Sequence, residues 1–104
     1  MNGKGYVFFG GGYSASNYSN RVELYVVNEN ETIDHFDSEN NSNKIEPLSE
    51  PRRYLTASSV IVDGKGYVFF IGGEKGNKIC STVVDLYIVN EDGNIQHGYS
   101  RDDY

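Results

Sequence analysis

The sequence predicts an all-β fold made of two copies of one four-stranded antiparallel unit, with the first copy lacking its first strand. Three observations carry this. The motif Gly3-Lys4-Gly5-Tyr6-Val7-Phe8-Phe9 returns unchanged as Gly64-Lys65-Gly66-Tyr67-Val68-Phe69-Phe70, at an offset of 61 residues. The 104 residues include nine Tyr, five Phe and twelve Gly but only two Pro and no Trp, a mixture of strand-favouring side chains and turn formers. No stretch carries sustained apolar residues at helical spacing, so no substantial helix is expected.

The repeat extends past the motif. Gly11-Gly12 returns as Gly72-Gly73, Leu24-Tyr25-Val26-Val27-Asn28-Glu29 as Leu86-Tyr87-Ile88-Val89-Asn90-Glu91, and Ile33 and His35 as Ile95 and His97. In the first copy the run Tyr6-Val7-Phe8-Phe9, bounded by glycines, reads as a strand covered on both faces. Residues 22–28 read as a half-exposed strand with Glu23 toward solvent, and a third strand starts near Thr32 and Ile33. The second copy opens with a strand over residues 54–62 that ends at the turn Asp63-Gly64. There follow Tyr67-Val68-Phe69-Phe70, a half-exposed strand over residues 83–90 with Asp85 outward, the hairpin turn at Gly93, and a last strand from Ile95. This gives seven strands. The organisation is a first, incomplete unit at residues 1–38, a polar connection at 39–50 and a second unit at 51–104. The Asn- and Ser-rich residues 38–49 read as a surface connection.

Charge narrows the partners. A formal net charge of -6 opposes nucleic-acid binding, which depends on clustered Lys and Arg displacing counterions. The longest apolar run, residues 67–71, falls far short of the roughly 20 residues that span a bilayer, so no membrane insertion is expected. Cys80 is the single cysteine and forms no internal disulfide. Met1 is followed by no basic and then apolar leader, so an export signal would have to lie outside this segment.

Pro51-Arg52-Arg53, the strand to Val62, Asp63-Gly64-Lys65, Tyr67, Gly72-Gly73, a variable loop and Val84-Asp85-Leu86-Tyr87 stand in the order of a kelch repeat, and nearly the whole chain resembles two of them. The endings Asn28-Glu29-Asn30-Glu31-Thr32-Ile33 and Asn90-Glu91-Asp92-Gly93-Asn94-Ile95 are similar to an Asn-x-Asp-Gly-x-Ile variant of bacterial extracellular kelch-like repeats. Three features depart from the family. The Trp of the last strand is absent, extra residues separate Tyr67 from the double glycine, and the period exceeds the family's roughly 50 residues. The resemblance implies blades of a β-propeller, an architecture that uses about 4 to 8 of them. Two blades do not close that circle, so further blades of the same protein or self-association are implied. The resemblance also favours a bacterial extracellular or cell-surface setting.

Candidate sites follow from loops that a rigid scaffold presents. By resemblance, residues 13–20 and 74–81, with the Arg pair ahead of the second unit, form the contact face. The candidate binding residues are Tyr13, Tyr18, Arg52, Arg53, Tyr54, Lys75 and Lys78, because Tyr gives large contact area and Arg grips carboxylates in pairs of bonds. Packing of Arg52 or Arg53 between blades is the equally weighted alternative.

Other motifs read as structural. The glycine runs lack the following helix that a phosphate loop needs, and His35 and His97 lack the further ligands of a metal site. Cys80 has no nearby His to activate it. Asn90, Asp92 and Asn94 have the alternating oxygens of a calcium loop without its distant Glu, and the acidic residues at the turns, with Asp102 and Asp103, read as exposed. Sequons at Asn17, Asn30 and Asn40 are what an Asn- and Ser-rich chain produces by chance. No catalytic residue, cofactor or metal is assigned. The function expected is a non-catalytic scaffold that binds a protein or glycan. The alternatives are a self-assembling structural repeat that builds a ring or filament, and part of a sugar-processing propeller enzyme.

Overall fold

The structure is a computed structural model that describes residues 3–14 and 17–100; Asp102 and Asp103 lie outside the described residues. In the first copy the strands are β1 (Gly5–Gly10), the two-residue β2 (Tyr13–Ser14) and β3 (Asn17–Tyr18), β4 (Val22–Val27) and β5 (Ile33–Asp37). The second copy contributes β6 (Thr56–Val62), β7 (Lys65–Ile71), β8 (Val84–Val89) and β9 (Ile95–Ser100). The described residues contain no helix. Strands β1-β4-β5 form a three-stranded sheet, β6-β7-β8-β9 a four-stranded sheet and β2-β3 a short ribbon, with every pairing antiparallel. These are two blade-like units, and the expected all-β fold with a missing first strand in the first copy is what the chain adopts. The ribbon is additional: the loop over residues 13–20 pairs Tyr13 with Tyr18.

Local chemistry explains the tight connections. Asp63 and Gly64 link β6 to β7 with φ of 51° and 78°, the positive pair that a two-residue hairpin of matching twist requires. The turn after β8 is closed by Gly93 N–H donating to Asn90 O, and Asp92 accepts from both the backbone and the side chain of Asn94. The Asp92 oxygens are thus engaged in holding a hairpin.

Strand pairing places Phe8 beside Leu24 and Gly10 beside Val22 on one face of the first sheet, and Val7 beside Tyr25 and Phe9 beside Glu23 on the other. The first face packs on the second sheet. Phe8 lies 5.6 Å from the Tyr87 ring, and Phe70 meets that ring edge-on at 5.8 Å. Val22, Ile45, Leu48, Phe70 and Tyr87 form the buried core, with Phe8, Phe36, Leu55, Val68 and Ile95 against it. The other face of β1 is open, with Val7 and Phe9 exposed. This corrects the expectation of a strand covered on both sides: an apolar run marks a strand able to be covered twice, but among the described residues one neighbouring sheet covers it.

The connection over residues 39–50 also differs from its expected surface course. Ile45 and Leu48 are both buried between the sheets. Bonds to both copies hold this segment down. Lys44 Nζ donates to Gly93 O at 3.0 Å, the Tyr87 hydroxyl to Glu46 O at 2.8 Å, and Leu48 N–H to Asn20 O at 2.8 Å. Ile45→Ala and Leu48→Ala should each cost about 2–5 kcal/mol, the range for truncating a buried aliphatic side chain, while Asn43→Ala on the same segment should stay within about 0.5 kcal/mol. Urea unfolding measures all three, and equal small losses would remove this segment from the core.

Candidate functional site

Residues 52–54 run across the ends of both sheets, and alternate residues bond to alternate copies. Gly12 N–H donates to Arg52 O at 2.7 Å and Arg52 N–H to Ser19 O at 3.0 Å, which ties Arg52 to the first copy. Arg53 exchanges backbone bonds of 3.0 and 2.8 Å with Glu74, which ties it to the second. The double glycines permit this approach. A Cβ on Gly11 would lie 2.6 Å from Arg52 O, one on Gly73 would lie 2.6 Å from Arg53 O, and both residues have positive φ. They serve backbone packing. Because neighbouring residues of an extended segment point to opposite sides, the two Arg side chains part company.

Arg52 turns inward and is fully buried with Asp85. Its Nη1 donates to Asp85 Oδ2 at 2.8 Å and its Nη2 to the carbonyl of Phe70 at 3.3 Å. Asp85 also accepts from Ser49 N–H at 3.0 Å, from the Ser49 hydroxyl at 3.1 Å and from His97 Nε2 at 2.6 Å. Burial alone would push this carboxyl up, but the bonds from His97, Ser49 and Arg52 outweigh it and hold the group below its ordinary 3.8. His97 stacks on Tyr87 at 4.3 Å and places Nδ1 2.9 Å from Glu46. Burial would lower its pKa, yet the carboxylates of Asp85 and Glu46 raise it above 6.5. One expectation is corrected here: Asp85 faces the core instead of solvent. For Arg52 the structure decides between two equally weighted readings: it packs inward in a buried ion pair and lies off the contact face.

Arg53 turns outward into a ring of aromatics. Its guanidinium carbon lies 4.5 Å from the Tyr13 ring centre, 5.2 Å from Tyr18 and 4.6 Å from Tyr54, within cation–π range of all three. Nε donates to Glu74 Oε1 at 2.7 Å, and the Tyr18 hydroxyl donates to the same oxygen at 2.9 Å. The bonds from Arg53 and Tyr18 hold the Glu74 carboxyl below its usual range, while partial burial and the bond to Glu74 push the Tyr18 hydroxyl up. Tyr13 and Tyr18 pack edge to face at 5.2 Å across the β2-β3 ribbon. Tyr54 is 78% exposed at φ 59°, a left-handed conformation that an aromatic residue rarely adopts.

Four of the seven candidate residues therefore converge: Tyr13, Tyr18, Arg53 and Tyr54. Lys75 and Lys78 stand exposed in the turn after Glu74, where the Lys78 charge also helps lower the Glu74 pKa. His35 and His97 sit on different sheets, each stacked on the Tyr of its own copy. No group of three or more His, Cys, Asp or Glu among the described residues is arranged to hold a metal, and Cys80 is exposed. Sequence reasoning missed Glu74, Ser49 and Glu46. A signal for the buried pair was present: Val83, Asp85, Tyr87 and Val89 alternate, and a carboxylate in an otherwise apolar inward row demands a cation.

A scan against protein-family models and a search of curated proteins each found no match for this chain.

Arg52→Ala should cost about 3–5 kcal/mol, because it leaves a buried carboxylate without its cation. Thermal or urea unfolding reads this directly. The Asp85–His97 pair also sets a pH window. The depressed Asp85 pKa gives stability that is present above 3.8 and lost as pH falls through the lower folded value. The raised His97 pKa gives stability that is complete below 6.5 and lost as pH climbs through the higher folded value. The unfolding midpoint should accordingly peak in mildly acid solution, and His97→Gln should flatten the decline on the alkaline side.

Proposed function

We propose that this chain is a non-catalytic binding scaffold, a pair of kelch-like blades that present the Arg53 cluster to a protein or glycan. The observation that carries the reading is Tyr54. A large aromatic side chain is held out into solvent on a left-handed backbone, beside a half-buried Arg flanked by two further Tyr rings. Stability gives no reason to expose an aromatic residue on an unfavourable backbone conformation, and conformational strain of this kind concentrates at sites that bind. Flat aromatic faces suit the apolar side of a sugar ring or a peptide side chain. The Arg53 bond to Glu74 engages Nε, so the terminal nitrogens are the part that a carboxylate or hydroxyl of the ligand would reach.

Two sheets joined by an Arg-bearing segment that contacts both glycine turns support the kelch-like part of the reading, and the resemblance of the turn sequences to bacterial extracellular repeats favours a setting outside the cell. The buried acid and base of the chain, Asp85 and His97, are bonded to each other and to packing groups, which favours scaffold over catalyst.

Binding to arrayed oligosaccharides and acidic peptides tests the proposal. Tyr54→Ala and Arg53→Gln should weaken capture of the bound class about tenfold or more, the usual loss for an aromatic or Arg anchor. Tyr54→Ala should leave the unfolding midpoint close to that of the parent. Undiminished capture by both variants would rule out this cluster as the contact surface.

A further inference from the structure

The repeat offers a comparison inside one molecule. Seven positions on the inward face of the second sheet, Val68, Phe70, Asp85, Tyr87, Val89, Ile95 and His97, correspond to Val7, Phe9, Glu23, Tyr25, Val27, Ile33 and His35 in the first copy. The residue types are nearly the same, and each is more buried in the second copy. Phe70 is 2% exposed and Val89 1%, whereas Phe9 is 59% exposed, Val27 41% and Ile33 63%. The difference has a visible cause: the second sheet is covered by the Tyr6, Phe8, Leu24 face of the first, and among the described residues nothing of that kind lies on the outer face of the first sheet. The residues equivalent to the cover, Tyr67, Phe69 and Leu86, lie on the outer face of the second sheet, where Val60 and Ile71 are exposed alongside them.

We infer that the outer face of the second sheet covers the outer face of the first sheet in a second copy of this chain, head to tail, repeating the junction already present between the two sheets. The internal junction fixes which face meets which and in what orientation. Charge follows the same pattern. Glu23 bonds to His35 at 2.9 Å, as Asp85 does to His97, and Arg21 lies 4.0 Å from Glu23, so covering this face buries a carboxylate that brings its own partners. The contact joins two different faces, so it is heterologous and propagates until a ring closes or a filament grows. The contact joins separate chains, so it depends on concentration. The Arg53 cluster sits past the ends of β1 and β7, off both faces, so the assembly stands or falls independently of the proposed binding role.

Sedimentation velocity and light scattering on the 104-residue chain, from micromolar to near-millimolar concentration, test the inference. The parent should pass from monomer to multimers larger than a dimer as concentration rises. Phe9→Glu blocks one face and Ile71→Glu the other, both at exposed positions, and each variant alone should stay monomeric. Their equimolar mixture should form a one-to-one dimer that grows no further, because each supplies the face the other has lost. A circular dichroism melt confirms that each variant is folded; Ile33→Lys and Val60→Glu replace them where it does not. A parent that is monomeric throughout overturns the inference. Either variant pairing with itself overturns it too, since that would be a symmetric contact.

Discussion

The fold turns on one buried carboxylate. Asp85 lies on the inward face of β8, where burying an unpaired charge costs several kcal/mol, and its oxygens are met by donors from three places: Arg52, Ser49 and His97. Ser49 and Arg52 belong to the segment that joins the copies, and His97 belongs to β9. Satisfying Asp85 therefore pins the connecting segment against the second sheet. Once Arg52 points inward, the alternation of an extended backbone leaves Arg53 pointing out, and the glycines at 11 and 73 fix the height at which it leaves the surface. The exposed cluster is a geometric consequence of the buried pair.

The sequence made the sheets legible through repetition. Identity between the two apolar motifs, glycine pairs at their ends and the Asp63-Gly64 turn identify the strand order and every hairpin of the second copy. It did not make the direction of Asp85 legible, because a single acid in an alternating strand reads as solvent-facing unless its cation is known. That cation lies 33 residues away in an Arg-Arg dipeptide whose two members look alike. The connection over residues 39–50 was opaque for a related reason. Its Asn and Ser content describes the turns, while two aliphatic residues do the packing. Of the candidate contact residues, the Tyr and Arg types were readable from composition; Glu74, which fixes the orientation of both Arg53 and Tyr18, has no local signature.

The two copies also separate what a unit encodes from what its surroundings impose. Each contains an acid, a Tyr and a His on neighbouring strands, with the His stacked on the Tyr at 4.4 Å in the first copy and 4.3 Å in the second. That stacking is local and survives in solvent. Burial of the trio arises where another sheet and Arg52 close over it, and there, against the pull of burial, bonds from His97, Ser49 and Arg52 hold the Asp85 pKa down while Asp85 and Glu46 hold the His97 pKa up. The acid differs as well: the buried copy uses the shorter Asp, which reaches Arg52 and Ser49 without displacing the stacked rings, while the open copy has Glu.

The composition of the Arg53 cluster ties the proposed recognition to the same packing. Tyr13 and Tyr18 come from the first copy, Arg53 and Tyr54 from the joining segment, and Glu74 from the second copy. Neither copy holds the arrangement by itself. The cluster exists only while the two sheets are docked, and the contacts that dock them run through Arg52 and Asp85. A ligand that touches both Tyr13 and Tyr54 would bind the docked form alone, and anything that binds one form of a molecule stabilises that form by mass action. The proposed recognition at the cluster would thus share one equilibrium with closure of the buried ion pair, because Arg53 and Arg52 are adjacent residues of one backbone.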